Sequence, residues 1–292
     1  MWKGYKMKLK TTIACVLAAT LIVLSAGCKS NDAQSSGAES GSQSTVTTTA
    51  TSGNIGDTQL KNGDKIAEFN IEGYGTIKAK LFPDIAPVGV DNFIKLADSG
   101  FYDGLTIHRV YAGFMFQGGS LNGDGTGGEA ADGGSFGIET SDNARHFYGA
   151  LCYANAGGQN TCQFYIVNNK EENEITNTIN VIEGYREECI TERDKYEKDS
   201  YEYSYYDSGV AYYDEMLADY KAIPDNVAAK YNKVGGAPSL DGGYTVFGQV
   251  YEGFDVIDAI SACEVVANAG GEMSLPVKTI TITSVKITEY TE

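Results

Sequence analysis

Two short apolar runs, Leu105–Tyr111 and Phe114–Gln117, flank an Ala-Gly pair within the stretch Phe101–Gly119. Runs of this length divided by turn residues are typical of two strands joined at a tight turn. The first run contains one fixed cation, Arg109, beside soft apolar side chains of the second. Burying a guanidinium is costly unless something uses it, although a lone strand arginine more commonly reaches solvent along its stem. The stretch therefore predicts a pair of strands that carries a candidate functional cation.

The chain around this pair continues in six further short segments that are typical of strands and two segments with helical spacing. The first helical segment begins at Pro87 and is closed by Gly100, and the second is Glu252–Ser261. The six strands are predicted at Ile66–Ile71, Thr76–Phe82, Gly149–Tyr153, Gln163–Val167, Thr245–Val250 and Val277–Thr288. Eight strands can close into a barrel that its own side chains fill, with helices over the open ends. The residues alone favour a barrel and a sandwich equally.

Residues 168–237 interrupt the strand pattern. This segment contains ten of the 20 tyrosines, sixteen acidic residues and eight basic ones. Because a structureless loop of about 70 residues inside a compact domain is improbable, we interpret it as a helical insertion on the surface. Helices are expected at Glu183–Asp199 and Tyr212–Tyr231, the second interrupted by Pro224.

The N-terminal region has the composition of an export signal followed by a tether. Residues 1–28 combine a lysine-bearing start with the apolar run Thr11–Ser25. The closing Ser25-Ala26-Gly27-Cys28 resembles the lipobox of bacterial lipoproteins, which implies lipidation of Cys28 and attachment to the extracytoplasmic face of the cell membrane; an ordinary cleaved signal is the alternative. Residues 29–61 are rich in Ser, Thr and Gly, cannot bury enough surface to offset ordering, and predict a disordered tether. The folded domain is expected at 62–292.

Charge and motif spacing exclude several classes of function. A net charge of −17 repels phosphate backbones, so no nucleic-acid partner is expected. Gly123-x-Gly125-x-x-Gly128 has the spacing of a dinucleotide loop but is followed by more glycines and acids, not by an apolar helix. Two histidines far apart in sequence do not suggest a metal site.

The stretch Phe101–Gly119, with Gly149–Val167 and Leu240–Ile260, strongly resembles the cyclophilin-type peptidyl-prolyl cis-trans isomerases. The resemblance covers about 62–167 and 238–288. It implies a mainly β fold: a closed eight-stranded antiparallel barrel capped by two helices, with 168–237 as an addition to it.

The same resemblance assigns roles to individual residues. Arg109 matches the catalytic arginine of the family, and Gln117 matches its contact to the substrate carbonyl. The remaining substrate-binding positions are Phe114, Met115, Ala154, Asn155, Ala156, Gln163, Tyr165, Leu240 and Tyr244.

Three positions depart from the family pattern. Tyr165 stands where phenylalanine is usual and adds a hydroxyl to an apolar pocket floor, and Tyr244 replaces a histidine at the rim. Ser239 replaces a tryptophan that helps many members to bind cyclosporin, so we expect weak cyclosporin binding.

The four cysteines after Cys28 are Cys152, Cys162, Cys189 and Cys263, and they allow three disulfide pairings. We expect free, largely buried thiols, because a barrel of this size does not need a disulfide. No cysteine lies near a histidine in sequence, so cysteine catalysis is not expected.

Rotation about an X–Pro amide breaks no bond and requires no nucleophile or cofactor. The resemblance implies a peptidyl-prolyl isomerase that acts as a monomer on proline-containing exported polypeptides. The alternative is a proline-peptide binding module or surface scaffold with weak turnover. The insertion is expected to select substrates without taking part in catalysis.

Overall fold

The computed structural model describes residues 59–292, and most of its ordered elements are strands. The strands are β1 Lys65–Ile71, β2 Gly75–Leu81, β3 Ile107–Tyr111, β4 Met115–Gly118, β5 Phe136–Gly137, β6 Ala150–Ala156, β7 Gln159–Val167, β8 Val246–Glu252, β9 Val265–Ala267, β10 Met273–Pro276 and β11 Ile282–Glu289. The helices are α1 Pro87–Asp98, α2 Glu174–Arg193, α3 Tyr201–Lys221, α4 Asp225–Val234 and α5 Phe254–Ser261, with a 3-10 turn at Pro238–Leu240. The predicted signal peptide, Cys28 and nearly all of the predicted tether lie outside the described residues.

One curled antiparallel sheet forms the body of the molecule. Its strand order is β11-β1-β2-β8-β6-β7-β4-β3, and β5 pairs with β7. Along each strand, alternate residues turn inward, so one face of the sheet forms a continuous core. Its centre is aromatic: the Phe93 ring of α1 lies 5.1 Å from that of Phe247 and 5.7 Å from that of Phe69.

The predicted closed barrel is wrong, because the sheet is open between its end strands β11 and β3. Across the seam, the structure has one isolated bridge, Thr106 to Thr281, and backbone hydrogen bonds such as that from the Ile107 amide to the Ile280 carbonyl. Beyond Ile107, the edge of β3 lies beside β10, which pairs only with β9 in a separate two-stranded sheet. The strand that would close the barrel is therefore replaced by an independent hairpin, and the fold is a mainly β half-barrel.

Two helices pack on the curled sheet, as predicted. Helix α1 begins with a proline, which suits the first helical turn because that turn's amides have no partner inside the helix. The free amides of Val88 and Gly89 donate to the Glu139 carboxylate at 3.0 and 2.7 Å. The apolar side chains Val90, Phe93 and Leu96 then face the core.

Residues 173–228 form a compact unit of their own. Helices α2 and α3 run through this segment and share an apolar stripe of Ile182, Cys189, Val210, Tyr213 and Leu217. Ion pairs such as Arg186–Asp214 and Arg193–Asp207 join the exposed sides of the two helices. The helices expected from the sequence are present but begin earlier than expected, and Pro224 separates α3 from α4.

The second compact unit comprises residues 59–172 and 229–292 and contains the curled sheet. All four cysteines in the described part of the chain are free thiols, and three of them are buried, as expected. Within residues 59–292, no helix combines the length and the apolar composition that a membrane crossing requires.

Candidate active site

The predicted site residues lie in a row across three neighbouring strands. Arg109 on β3 is the cross-strand partner of Gln117 on β4, and Gln117 is the partner of Tyr165 on β7. Cross-strand partners point to the same face of a sheet. The residues between them, such as Phe116 and Phe164, point to the other face and belong to the core. The row therefore lies on the side of the sheet opposite the main core.

An apolar cluster separate from that core surrounds the Tyr165 end of the row. Met115 and Tyr165 are buried in it, with 2% and 4% of their surface exposed. Phe114, Ala154, Leu240 and Tyr244 pack around them at the margin of the cluster. The structure thus brings the predicted proline-pocket residues together beside Gln117, although they come from distant parts of the sequence.

Three further predicted residues are held by amide hydrogen bonds. Gln117 donates through Nε2 to Oε1 of Gln163 at 3.0 Å, and Gln163 donates through Nε2 to the Gly125 carbonyl at 2.9 Å. The glycine-rich loop is thereby tied to the row. Asn155 donates through Nδ2 to the Gly243 carbonyl at 3.0 Å. Since Gly243 precedes Tyr244, this bond holds the predicted strip Ala154–Ala156 to the loop at the pocket rim.

Arg109 forms a bidentate ion pair with Glu272, a carboxylate that the sequence did not predict. Arg109 Nε donates to Glu272 Oε1 and Arg109 Nη2 donates to Glu272 Oε2, both at 2.7 Å. This hydrogen bonding holds the pKa of the Glu272 carboxyl below its usual value, against the opposing effect of burial. Glu272 lies just before β10, in a region where the sequence predicts no element, because the strands β9 and β10 have only three and four residues. The Asn268-Ala-Gly-Gly turn could have predicted the hairpin, but no pattern links residue 272 to residue 109.

His108, next to the arginine, is buried with 7% of its surface exposed. Burial, supported by the neighbouring Arg109 charge, lowers its pKa from 6.5 to about 4. The imidazole is therefore neutral at physiological pH. It adds no second cation to this end of the row.

Beneath the pocket, a chain of hydrogen bonds starts at the Tyr165 hydroxyl. The Tyr165 oxygen lies 3.0 Å from Nε2 of His146, and His146 Nδ1 lies 2.8 Å from Oδ1 of Asp241. Because the Asp241 carboxylate accepts from Nδ1–H, the Tyr165 hydroxyl donates to Nε2. Tyr231 donates its own hydroxyl to Oδ2 of Asp241 at 2.8 Å. Burial raises the pKa of the Tyr165 and Tyr231 hydroxyls well above the ordinary value, so both remain protonated donors.

This chain of hydrogen bonds accounts for the hydroxyl that Tyr165 adds to the pocket floor, which the sequence alone leaves unexplained. A buried tyrosine hydroxyl needs a partner, so the departure at Tyr165 was a signal that a polar group lies beneath the floor. The sequence presents His146 only as one of two histidines too far apart to suggest a metal site, and it places Tyr231 in the predicted insertion. Tyr231 instead belongs to the compact unit of the sheet, where its ring packs 4.5 Å from that of Phe147.

Among residues 59–292, no group of three or more His, Cys, Asp or Glu side chains is arranged to hold a metal ion. Cys152, the cross-strand partner of Tyr165, is fully buried, and burial raises the pKa of its thiol well above the usual value. What the site offers is a fixed guanidinium, two amides and an apolar pocket, which suit the binding and polarisation of a peptide group.

The half-barrel, its two core helices and this row define a cyclophilin-like protein. The family model of the "Cyclophilin type peptidyl-prolyl cis-trans isomerase/CLD" matches residues 66–191 and 227–287. The chain therefore belongs to the cyclophilin-type peptidyl-prolyl cis-trans isomerase family, as the sequence motifs predicted. The unmatched residues 192–226 fall within the compact unit 173–228.

Relatives and solved structures agree with this assignment. The chain is 34% identical to a Staphylococcus saprophyticus protein whose name provisionally assigns it as a peptidyl-prolyl cis-trans isomerase, over 78% of this chain and 94% of that protein. A Staphylococcus haemolyticus protein with the same provisional name is 36% identical, over 73% of this chain and 86% of the other. A crystal structure of a cyclophilin-type isomerase from Cryptosporidium parvum covers 78% of this chain and 99% of its own, with a TM-score of 0.51 and 20% identity. A second structure of that protein was determined in the presence of the dipeptide Ala-Pro, with a TM-score of 0.50.

Proposed function

We propose that this isomerase accelerates rotation about X–Pro bonds in exported polypeptides, and that Arg109 is its catalytic residue. The observation that carries the proposal is the row itself: a guanidinium, an amide and an apolar pocket aligned on β3, β4 and β7. A proline ring in the pocket would place its peptide group beside Gln117 and Arg109.

Catalysis in such a site requires only differential binding. Rotation about the amide opposes its resonance, with a barrier of about 18–20 kcal/mol. In the twisted state the amide nitrogen becomes pyramidal and basic, so it can accept a hydrogen bond that the planar amide cannot. A guanidinium N–H that meets the nitrogen only in that state stabilises the transition state over the substrate. The apolar pocket excludes water. Water stabilises the planar dipolar amide, so its exclusion favours the twisted state.

The Cryptosporidium structure with Ala-Pro supports the substrate class, because a related fold was crystallised with a proline dipeptide. Action outside the cytoplasm rests on the sequence of residues 1–28. There, Cys28 would carry the lipid anchor and 29–61 would serve as the tether. A Cys28→Ala variant should leave the membrane fraction, whereas continued attachment after signal cleavage would contradict the anchor.

Turnover of a proline tetrapeptide by residues 59–292 tests the proposed chemistry. Arg109→Ala should lower kcat/KM by about 100-fold or more, because one transition-state donor is typically worth about 2.7–4 kcal/mol. Circular dichroism and thermal melting should show that the variant remains folded. A folded variant with near-normal turnover would refute the role of Arg109. Binding of the peptide by the unmodified protein without turnover would favour the alternative of a binding module.

A further inference from the structure

The contact between Arg109 and Glu272 uses one whole edge of the guanidinium. Both Glu272 oxygens accept from that edge, one from Nε and one from Nη2, each at 2.7 Å. In the part of the chain that the structure describes, the third nitrogen, Nη1, has no hydrogen-bond partner. The pair therefore fixes the plane of the guanidinium and leaves one nitrogen for another ligand.

The loop that presents Glu272 is built around Asn268. Asn268 Oδ1 accepts from the amides of Gly270 and Glu272, at 2.9 and 3.0 Å. The Asn268 backbone amide donates to the Glu272 backbone carbonyl at 2.8 Å, which closes the loop. Its Nδ2 also donates to Oγ of the fully buried Ser274 at 3.2 Å. Glu272 is thus held by its own backbone before its side chain meets the arginine.

Such a pair contributes little to folding. Its side chains are only 28% and 20% exposed, so the cost of removing both charges from water offsets much of their mutual attraction. An arginine side chain has several rotatable bonds, and catalysis requires its donor to be oriented before the substrate arrives. The geometry suits orientation better than it suits stability.

We infer that Glu272 is a positioning residue, which orients Arg109 so that its free Nη1 edge faces the bound peptide group. This inference rests on the proposed role of Arg109. Glu272 itself touches no substrate. It acts through the guanidinium, and its carboxylate must be ionised to accept both bonds.

Kinetics of Glu272→Ala and Glu272→Gln test the inference, with Glu264→Gln as the matched control. Glu264 is an exposed acid that begins the same hairpin region, so its substitution changes the charge equally without touching Arg109. We expect Glu272→Ala to lower kcat about 10-fold with little change in KM, because misplacing a catalytic group costs rate more than binding. Glu272→Gln keeps one acceptor oxygen and should lie between Ala and wild type. Glu264→Gln should behave as wild type.

Two further measurements separate orientation from a merely structural role. Nitrogen-15 NMR of the Arg109 side chain should show hindered guanidinium rotation in the wild type and faster rotation in Glu272→Gln. The wild type should also lose turnover as the pH falls below 4.5 through the lowered Glu272 pKa. The loss should be smaller in Glu272→Gln, where only the neighbouring His108, whose pKa is about 4 in both proteins, still titrates beside Arg109. Both measurements remain possible on Glu272→Gln if Glu272→Ala does not fold.

Combination with Arg109→Ala distinguishes the possible failures. Glu272→Ala should have no further effect on turnover once Arg109 is removed. An equal loss in both backgrounds would make Glu272 a structural residue and overturn the inference. Wild-type kinetics in both Glu272 variants, with Arg109→Ala impaired, would overturn it and leave the proposed function standing. Normal turnover of Arg109→Ala would instead refute the proposed role of Arg109, and the inference with it.

Discussion

The two ends of the candidate site are held in place by different physics. At the arginine end, a charged pair with 28% and 20% exposed side chains fixes the guanidinium. At the pocket end, a chain of hydrogen bonds from Tyr165 through His146 to Asp241 lies under the floor, and the histidine is only 1% exposed. Each arrangement orients a side chain of the proposed substrate-binding row. One uses opposite charges near solvent, and the other uses directional bonds away from it.

This difference predicts whether a substitution at each end should lower turnover or stability. The Arg109 and Glu272 side chains keep 28% and 20% of their surface exposed, so either charge can still be hydrated when its partner is removed, and loss at the arginine end should reduce rate more than stability. A buried polar group left without its partner costs about 1–3 kcal/mol, so loss beneath the pocket should reduce stability first. The comparison fails if variants at the two ends have the same profile.

The largest expected effect is that of Arg109→Lys. Lysine keeps the positive charge but has no planar fork, so it cannot make both bonds to Glu272 or hold a donor in a fixed direction. If orientation is what the arginine end provides, kcat/KM for a proline tetrapeptide should fall about 100-fold, with the melting temperature nearly unchanged. Turnover within a few-fold of wild type would show that charge alone suffices there.

The pH dependence of the unfolding free energy tests His108, the buried residue next to Arg109 at the arginine end of the site. The folded-state pKa of His108 is lowered to about 4, from 6.5. As the pH falls from 6.5 to 4, the unfolded chain gains a proton that the folded chain resists, so the stability present above pH 6.5 is progressively lost. The loss from this group should reach about 2–3 kcal/mol near pH 4. Urea titrations at several pH values should show this slope in the wild type and a flatter one in His108→Leu. Equal slopes would contradict the assignment to His108.

Beneath the pocket, His146→Phe should break the chain of hydrogen bonds while nearly filling the space. The Tyr165 hydroxyl and one Asp241 oxygen would both lose a partner, which should cost about 2 kcal/mol of unfolding free energy. Adding Tyr165→Phe should recover part of that loss, because the floor would then have no hydroxyl to satisfy. A double variant less stable than His146→Phe alone would show that the Tyr165 hydroxyl keeps another hydrogen-bond partner when His146 is removed.

How far the sequence predicts this site depends on the separation of the partners. Short-range patterns placed Arg109, Gln117 and Tyr165 on strands, and the family motifs assigned them to one site. The open seam was not predictable, because alternation reveals a strand but not whether its edge is paired. Glu272 was missed for the same reason: the arginine and the acid are 163 positions apart, and the short strands around Glu272 carry little periodic signal. Tyr165 gives the clearest sequence signal, because a hydroxyl in an apolar pocket floor implies a buried hydrogen-bond partner but does not identify it.

Substitution of Tyr231 has the smallest expected effect. It tests both the boundary of the predicted insertion and the hydrogen bond from Tyr231 to Asp241. The sequence placed it in an insertion, 168–237, that was expected to have no part in catalysis, yet its ring is fully buried against Phe147 and its hydroxyl donates to Asp241. Tyr231→Phe keeps the ring and removes only this donor, so it should cost about 1 kcal/mol of unfolding free energy. Because Asp241 holds His146, tetrapeptide KM should rise slightly while kcat is preserved, opposite to the pattern expected for Glu272.

The matched control is Tyr201→Phe, which removes a hydroxyl from an exposed tyrosine in the compact unit 173–228. It should change neither stability nor KM. If Tyr231→Phe is equally silent, the hydrogen-bond chain ends at Asp241 and the C-terminal part of the predicted insertion has no bearing on the pocket. If Tyr231→Phe lowers kcat with KM unchanged, the two ends of the site are coupled, and the contrast between an arginine end that sets rate and a floor that sets binding is wrong.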